Sequence, residues 1–383
     1  MAKDNGQHLK RTLIVLLVRA DAARMEGLGL SQPDNLHRII KLRLRSARLQ
    51  SIAMKKILLV SLVALAASAF AQNYKVTNKF VLGGEGGWDY LAYDTHGHRL
   101  FITRGDHVIV IDPKAGKQIA DIPAHHCHGV AFDYDNRRGF ISNGGAGTMT
   151  VFDLNSLKPI QDVQVGENPD AIIYDTHAKK VVVMNGHSKN VMVVDPQSLK
   201  VEATIDVAAK PEFAVADSGH VYVNLEDTSQ IAQIDSKNWK LQNKWPLKPC
   251  ASPSGLAIDE KNERLFPVCD GKVMDVVNAK DGKIVTTVAI GEGPDAAAFD
   301  PNLKLAFSSN GHSGNLTIVK EESSNKFTVA QTVKTQRGAR TMALDPQTGT
   351  VYLVTAEFEP QTEPEKRPAM KPGTFTLLVV TPQ

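Results

Sequence analysis

From Tyr74 onward the chain is a succession of short apolar runs separated by clusters of Gly, Asn, Asp and Lys. Seven of these runs end at an acidic anchor: LAYD at Asp94, VAFD at Asp133, IIYD at Asp175, AVAD at Asp217, LAID at Asp259, AAFD at Asp300 and MALD at Asp345. Successive anchors stand 39, 42, 42, 42, 41 and 45 residues apart. A second run follows each anchor, such as RLFIT, KVVVM or TVYLV, and a third follows that, such as HVIVID or TMTVFD. A weaker fourth run usually closes the unit, as in KQIADI, KVEATI and KIVTTV. The runs are rich in Val, Ile, Phe and Tyr, which suit a pleated surface. Four short strands in a unit of about 40 residues are the signature of a propeller blade.

The seventh unit has only three strands before Gln383, and an orphan strand, YKVTNKFVL, stands ahead of the first anchor at Tyr74 to Leu82. Paired into the last blade, it would join the two ends of the ring and leave no open edge. The fold class expected is all-β: a seven-bladed β-propeller of four-stranded blades over residues 72–383, its last blade completed by the N-terminal strand.

The anchors, the xVxVID third strands and the GKxVxTIxVG-like fourth strands resemble the YVTN-type repeats of the YncE-like propeller family. GGWDYLAYD, NPDAIIYD, PEFAVAD, YVNLEDTS, SGLAID, FSSNG and QRGARTMALDP are similar to a secreted bacterial subgroup of it. The resemblance covers essentially all of 73–383. It implies the fold rather than an activity, because related propellers include lactonases, cofactor-bearing redox domains and surface-layer proteins.

Charge is unevenly spread. Residues 1–71 hold 12 of the 44 Lys and Arg and 4 of the 41 Asp and Glu, so 72–383 carries 32 against 37, a net of −5. That mildly acidic domain lacks the electrostatic footprint for phosphate backbones, which argues against non-specific nucleic-acid binding. From Met54 the chain reads MKKILLVSLVALAASAFAQ. Lys55 and Lys56 form a basic head, Ile57 to Ala67 an apolar stretch too short to span a membrane, and Ala69-Phe70-Ala71 a small-x-small cleavage site. Residues 54–71 are thus expected to be a signal peptide cleaved after Ala71, with a periplasmic or secreted product and no transmembrane segment in the mature chain. Residues 1–53, Arg-rich and patternless, read as an over-extended start.

Candidate chemistry lies in one register. Five residues before each anchor stand Asp89, His128, Asp170, Glu212, Ser254, Asp295 and Arg340, every one polar although each opens an apolar innermost strand. Innermost strands surround the channel of a propeller, so this phase predicts one ring at the channel mouth. Arg340 falls between Asp295 and Asp89 in blade order, which predicts an ion-pair bridge. Asp170 and Glu212 have no basic residue at their own register, and their repulsion favours a raised pKa or a bound cation. The candidate metal ligands are Asp170, Glu212 and His128, with a divalent cation the possible cofactor. The loops between second and third strands, with Asn185-Gly186-His187 and Asn310-Gly311-His312 among them, should rise on the same face. The anchor aspartates themselves read as turn formers.

Two functions are compatible with this pattern. One is a binding protein that takes a small ligand, an ion or a protein partner at the top face of the propeller. The alternative is a metal-dependent hydrolase of the lactonase kind, with a cation on the mouth carboxylates polarising a carbonyl; the ring has acids but no Asn, which counts against it. Neither a P-loop, nor GxSxG, nor HExxH occurs. Of Cys127, Cys250 and Cys269, the last two flank the first two strands of blade five, which predicts a Cys250–Cys269 disulfide. The Pro- and Glu-rich stretch 357–373 is expected to be a mobile loop overhanging the channel. Mass spectrometry of the exported protein should find Gln72 at the mature N-terminus; a terminus upstream of Met54 would overturn this reading of the first 71 residues.

Overall fold

The computed structural model describes residues 73–217, 219–360 and 368–383. The expected start region and signal peptide, and the tip of the long loop at 361–367, lie outside the described residues. The described chain forms seven four-stranded antiparallel sheets, the blades of a β-propeller. The innermost strands of blades one to seven are Leu91–Asp94, Cys127–Asp133, Pro169–Asp175, Pro211–Ala216, Pro253–Asp259, Pro294–Asp300 and Met342–Asp345. Six blades take their four strands from consecutive sequence. In the seventh, Tyr74–Val81 is the outermost strand, running antiparallel to Thr376–Pro382 with Tyr74 opposite Pro382 and Val81 opposite Thr376. Among the described residues no helix is long and apolar enough to cross a membrane.

The anchors do local work. The Asp94 Oδ1 accepts the backbone N–H groups of His96 and Gly97 at 3.0 and 2.9 Å, and its Oδ2 accepts the Arg99 Nε at 2.9 Å. Asp175, Asp300 and Asp345 repeat the turn bonds. Each anchor therefore satisfies the amides of a tight turn between first and second strands.

Second and third strands are buried on both faces, because each blade packs against its neighbours. That is why they read as nearly continuous apolar runs, as in Lys180–Asn185, where all residues after the first are buried. The outermost strands are mostly exposed and polar, as in Pro159–Gln164. Between blades one and two, Phe101 meets Phe132 and Phe152 with ring centroids 4.9 and 5.8 Å apart. Phe101 and Phe152, fully buried, each contribute roughly 1.5–3 kcal/mol relative to exposure. Tyr74 carries the same packing into the last blade, edge-on to Phe307 at 5.5 Å.

The long loop departs from expectation at its base. Phe358 and Met370 form an antiparallel bridge, flanked by bonds from Glu359 N–H to Ala369 O and from Lys371 N–H to Glu357 O, both 2.8 Å. The apolar side chains bracketing the Pro/Glu stretch explain this order, since Phe358 packs on Trp88 with centroids 6.2 Å apart.

Cys250 and Cys269 form a disulfide in blade five, with Cα atoms 5.3 Å apart, and Cys127 is a free, buried thiol. Replacing both bridged cysteines by Ala should lower the unfolding free energy by about 2–4 kcal/mol in urea titrations. Unchanged stability would show that the bridge constrains nothing the sheet does not already hold.

Candidate functional site

The seven register residues meet at one end of the channel, tied by bonds that run from blade to blade. Tyr90 N–H donates to His128 O at 3.2 Å, and the Ser142 hydroxyl donates to Asp170 O. Asn224 Nδ2 donates to Ser254 O at 2.9 Å, Ser254 Oγ to Asp295 O at 2.9 Å, and Ala296 N–H to Arg340 O at 3.2 Å. Arg340 Nη2 then reaches Trp88 O at 2.9 Å, returning to blade one. Among the described residues the junction from Asp170 to Glu212, between blades three and four, has no such bond.

Side chains follow the same circuit. Arg340 Nε lies 2.7 Å from Asp295 Oδ2 and its Nη2 3.4 Å from Asp89 Oδ1, so the expected bridge across blades six, seven and one is present. His128 Nδ1 is 2.6 Å from Asp89 Oδ2 and 3.7 Å from Asp170 Oδ1. Ser254 Oγ stands 3.3 Å from Asp295 Oδ1. Glu212 is only 7% exposed. Its Oε1 lies 2.6 Å from Lys210 Nζ, which also holds Glu226 at 2.5 Å.

Lys210 is not among the residues that the ring register singles out, because it stands two positions ahead of that register. The equivalent positions are Gly87, His126, Asn168, Lys210, Ser252, Gly293 and Gly338, and only blade four has a Lys there. Tyr90, one residue after Asp89, also escapes the register. Its ring packs on Phe213 at 5.3 Å and its hydroxyl comes within 3.5 Å of Glu212 Oε2. Tyr90 and Phe213 therefore floor the mouth as an aromatic layer, and below them lies a cavity of about 260 Å³ lined by Phe132, Tyr134 and Tyr174 as well. Nothing in a single repeat marks Tyr90, because its partners come from blade four.

Metal-binding capacity centres on a different trio from the expected one. One ligand atom each from Asp89, His128 and Asp170 lie within 4.8 Å of one another. Glu212 is instead engaged by Lys210, so Asp89 takes the place that sequence reasoning assigned to Glu212. Mixed carboxylate and imidazole donors suit zinc or another transition ion better than calcium. His128 Nε2 is buried and has no hydrogen-bond partner among the described residues. The ring lies close under Gly144, where a Cβ would stand 2.5 Å from that Nε2.

No protein-family model matches the chain, and no curated protein sequence matches it. Solved structures do. The chain is similar to U3-55K at 10% identity and TM-score 0.68, covering 82% of this chain and 99% of that one. The RRP9 WD40 repeats match at 11% identity and TM-score 0.68, covering 82% and 98%. Hydrazine synthase of Kuenenia stuttgartiensis matches at 15% identity and TM-score 0.61, covering 70% and 92%. The protein is a seven-bladed β-propeller with WD40-type structural neighbours. At these identities the likeness extends to the fold alone.

Electrostatics at the mouth follow from burial and crowding. Burial pushes the Asp170 carboxyl up to about 6, with His128 opposing and the Asp89 charge adding to the shift. Burial and the Arg340 charge act in the same opposed way on Asp295, also raised to about 6. Glu212 is raised by burial and by Asp170, against its bond to Lys210, whose own pKa is raised by Glu212 and Glu226 against burial. The two directions conflict, and the 2.6 Å contact decides for a formed ion pair. Burial lowers His128, but the Asp89 hydrogen bond and the Asp170 charge outweigh it, so the imidazolium is favoured. Burial and the surrounding carboxylates hold the Tyr90 phenol well above its usual value, so it stays a donor.

An acid whose pKa is raised on folding destabilises the fold when ionised and relieves it as pH falls through the folded pKa. A raised His contributes stability below that pKa and loses its contribution as pH rises. Both place the strain of the mouth at neutral to alkaline pH. Asp170→Asn should therefore stabilise the protein by about 1–2 kcal/mol at pH 8, with the gain fading as pH falls through about 6 to about 4. Melting curves of both proteins across that pH range provide the measurement. Destabilisation at pH 8 would mean that the ionised carboxylate makes a contact the fold needs.

Proposed function

We propose that the protein is an exported, YncE-like propeller whose acidic channel mouth captures a cationic ligand. The observation that carries this reading is the Asp170–Glu212 junction, where the Asp170 charge acts on the buried Glu212 and the mouth lacks, among the described residues, the bond that ties the other innermost strands. Counting Asp89, Asp170, Glu212, Asp295 and Glu226 against Arg340, Lys210 and a protonated His128, the mouth keeps an acid surplus. A cation there offsets repulsion that the protein alone leaves in place. The aromatic floor of Tyr90 and Phe213 adds a face on which an organic cation is stabilised. The disulfide supports an oxidising compartment, as the signal-like segment at 54–71 does. The propeller's rim remains available to a protein partner.

A second reading rests on the Asp89–His128–Asp170 trio. A divalent cation bound there would act as a Lewis acid on a carbonyl, which is the hydrolase alternative. In that case these three residues hold the ion and Glu212, paired to Lys210, stands aside.

Thermal-shift and calorimetric titrations test both. Calcium, magnesium, manganese, zinc and an aliphatic diamine would be offered to the wild type, to Asp170→Asn/Glu212→Gln and to His128→Gln. The binding reading expects at least one cation to stabilise the wild type and not the double variant. The metal reading expects a divalent ion whose effect also disappears in His128→Gln, with turnover in a lactone panel. Equal stabilisation of wild type and double variant, or none by any cation, would sink the cation reading.

A further inference from the structure

At the junction of blades six, seven and one lies a cleft of about 530 Å³ that the ring does not account for. Cavities that take small organic ligands measure roughly 300–1,000 Å³. One wall is apolar: Trp88 and Phe358 make a continuous aromatic surface, their rings inclined at 41°, and Met370 extends it. The wall is assembled from two distant segments, the loop before the first innermost strand and the paired base of the long loop of blade seven. Gly338 lets them meet. It has φ +87°, and a Cβ there would come within 2.6 Å of the Phe358 ring.

The charge in this cleft is of the opposite sign to the mouth. Arg337, Arg340 and His312 line it, and among the described residues no carboxylate does. Arg340 separates the two regions. Its Nε and Nη2 serve Asp295, Asp89 and the Trp88 carbonyl, whereas Nη1 makes none of those bonds. Its guanidinium also sits 5.6 Å from the Trp88 ring centre, so it is held in place from several directions. Arg337 is exposed at the rim. An aromatic wall beside two guanidinium groups is complementary to an anion that carries an aromatic body. Guanidinium groups recognise carboxylates through charge-assisted, geometrically defined bonds.

We propose that this cleft is a second binding site, for a small aromatic carboxylate. The ring of the ligand lies on Trp88, Phe358 and Met370, and its carboxylate meets Arg337 and the Nη1 of Arg340. This goes beyond the cation reading of the mouth, because the two sites differ in charge and share only Arg340.

Isothermal titration of the full mature chain with 2-naphthoate provides the test, with 2-naphthylmethylamine and hexanoate as the counter-probes. Saturable binding of naphthoate is expected, with the amine and the aliphatic acid each about tenfold weaker or more, the weight of one lost charged or aromatic contact. Arg337→Gln and Phe358→Ala should each weaken naphthoate by about tenfold, while Asp170→Asn/Glu212→Gln should bind it as the wild type does. Circular dichroism confirms folding, and Phe358→Leu takes the place of Phe358→Ala if the latter does not fold. Absence of saturable naphthoate binding, equal binding of the amine, or wild-type affinity in both cleft variants would overturn the proposal.

Discussion

Seven innermost strands converge on one channel, and each carries a polar side chain within two residues of its start, so the charges brought there must neutralise one another in a confined, partly dehydrated space. The structure meets this constraint unevenly. Arg340 neutralises Asp295 and Asp89, His128 engages Asp89 and approaches Asp170, and Lys210 holds Glu212. The backbone circuit of carbonyls and hydroxyls has its gap where the two carboxylates of blades three and four adjoin. Removing a charge from a partly buried ion pair leaves its partner uncompensated, which costs more than an exposed pair would contribute. The mouth is therefore a coupled unit, and its pH behaviour belongs to the set rather than to any one carboxyl.

The scaffold makes that concentration of charge tolerable. Blade-to-blade packing of Phe101, Phe152, Phe266 and Phe307, all fully buried, places the apolar stabilisation away from the axis. The strand Tyr74–Val81 joins Thr376–Pro382 in one sheet, so residues from both ends of the described chain share that packing. Strain at the axis is thereby carried by an interior that does not depend on it. Such local strain is common where a ligand is to be bound, because a partner supplied from outside then contributes more than the protein's own contacts do.

Two neighbouring regions of opposite sign result. On one side of Arg340 the mouth gathers acids over an aromatic floor; on the other, the cleft gathers guanidinium groups beside an aromatic wall. A single arginine with several fixed bonds can separate them because its planar fork is directional, which a lysine ammonium is not.

The sequence by itself determined the blade count, the turns at the anchors, the register of the ring, the Arg340 bridge and the Cys250–Cys269 pairing. All of these depend on a period of about 40 residues or on positions within one blade, and a repeated local pattern is visible without knowing the fold. Only the tertiary structure decided that Lys210 neutralises Glu212, that Tyr90 reaches across from blade one to blade four, and that Phe358 meets Trp88 to build the cleft. Those contacts join side chains from different blades, from irregular loops, or from outside the ring register, at distances along the chain that carry no period. The Tyr90 and Phe358 contacts exist only once the ring of blades has brought distant segments together, whereas the Lys210 pairing is local but falls outside the repeated register.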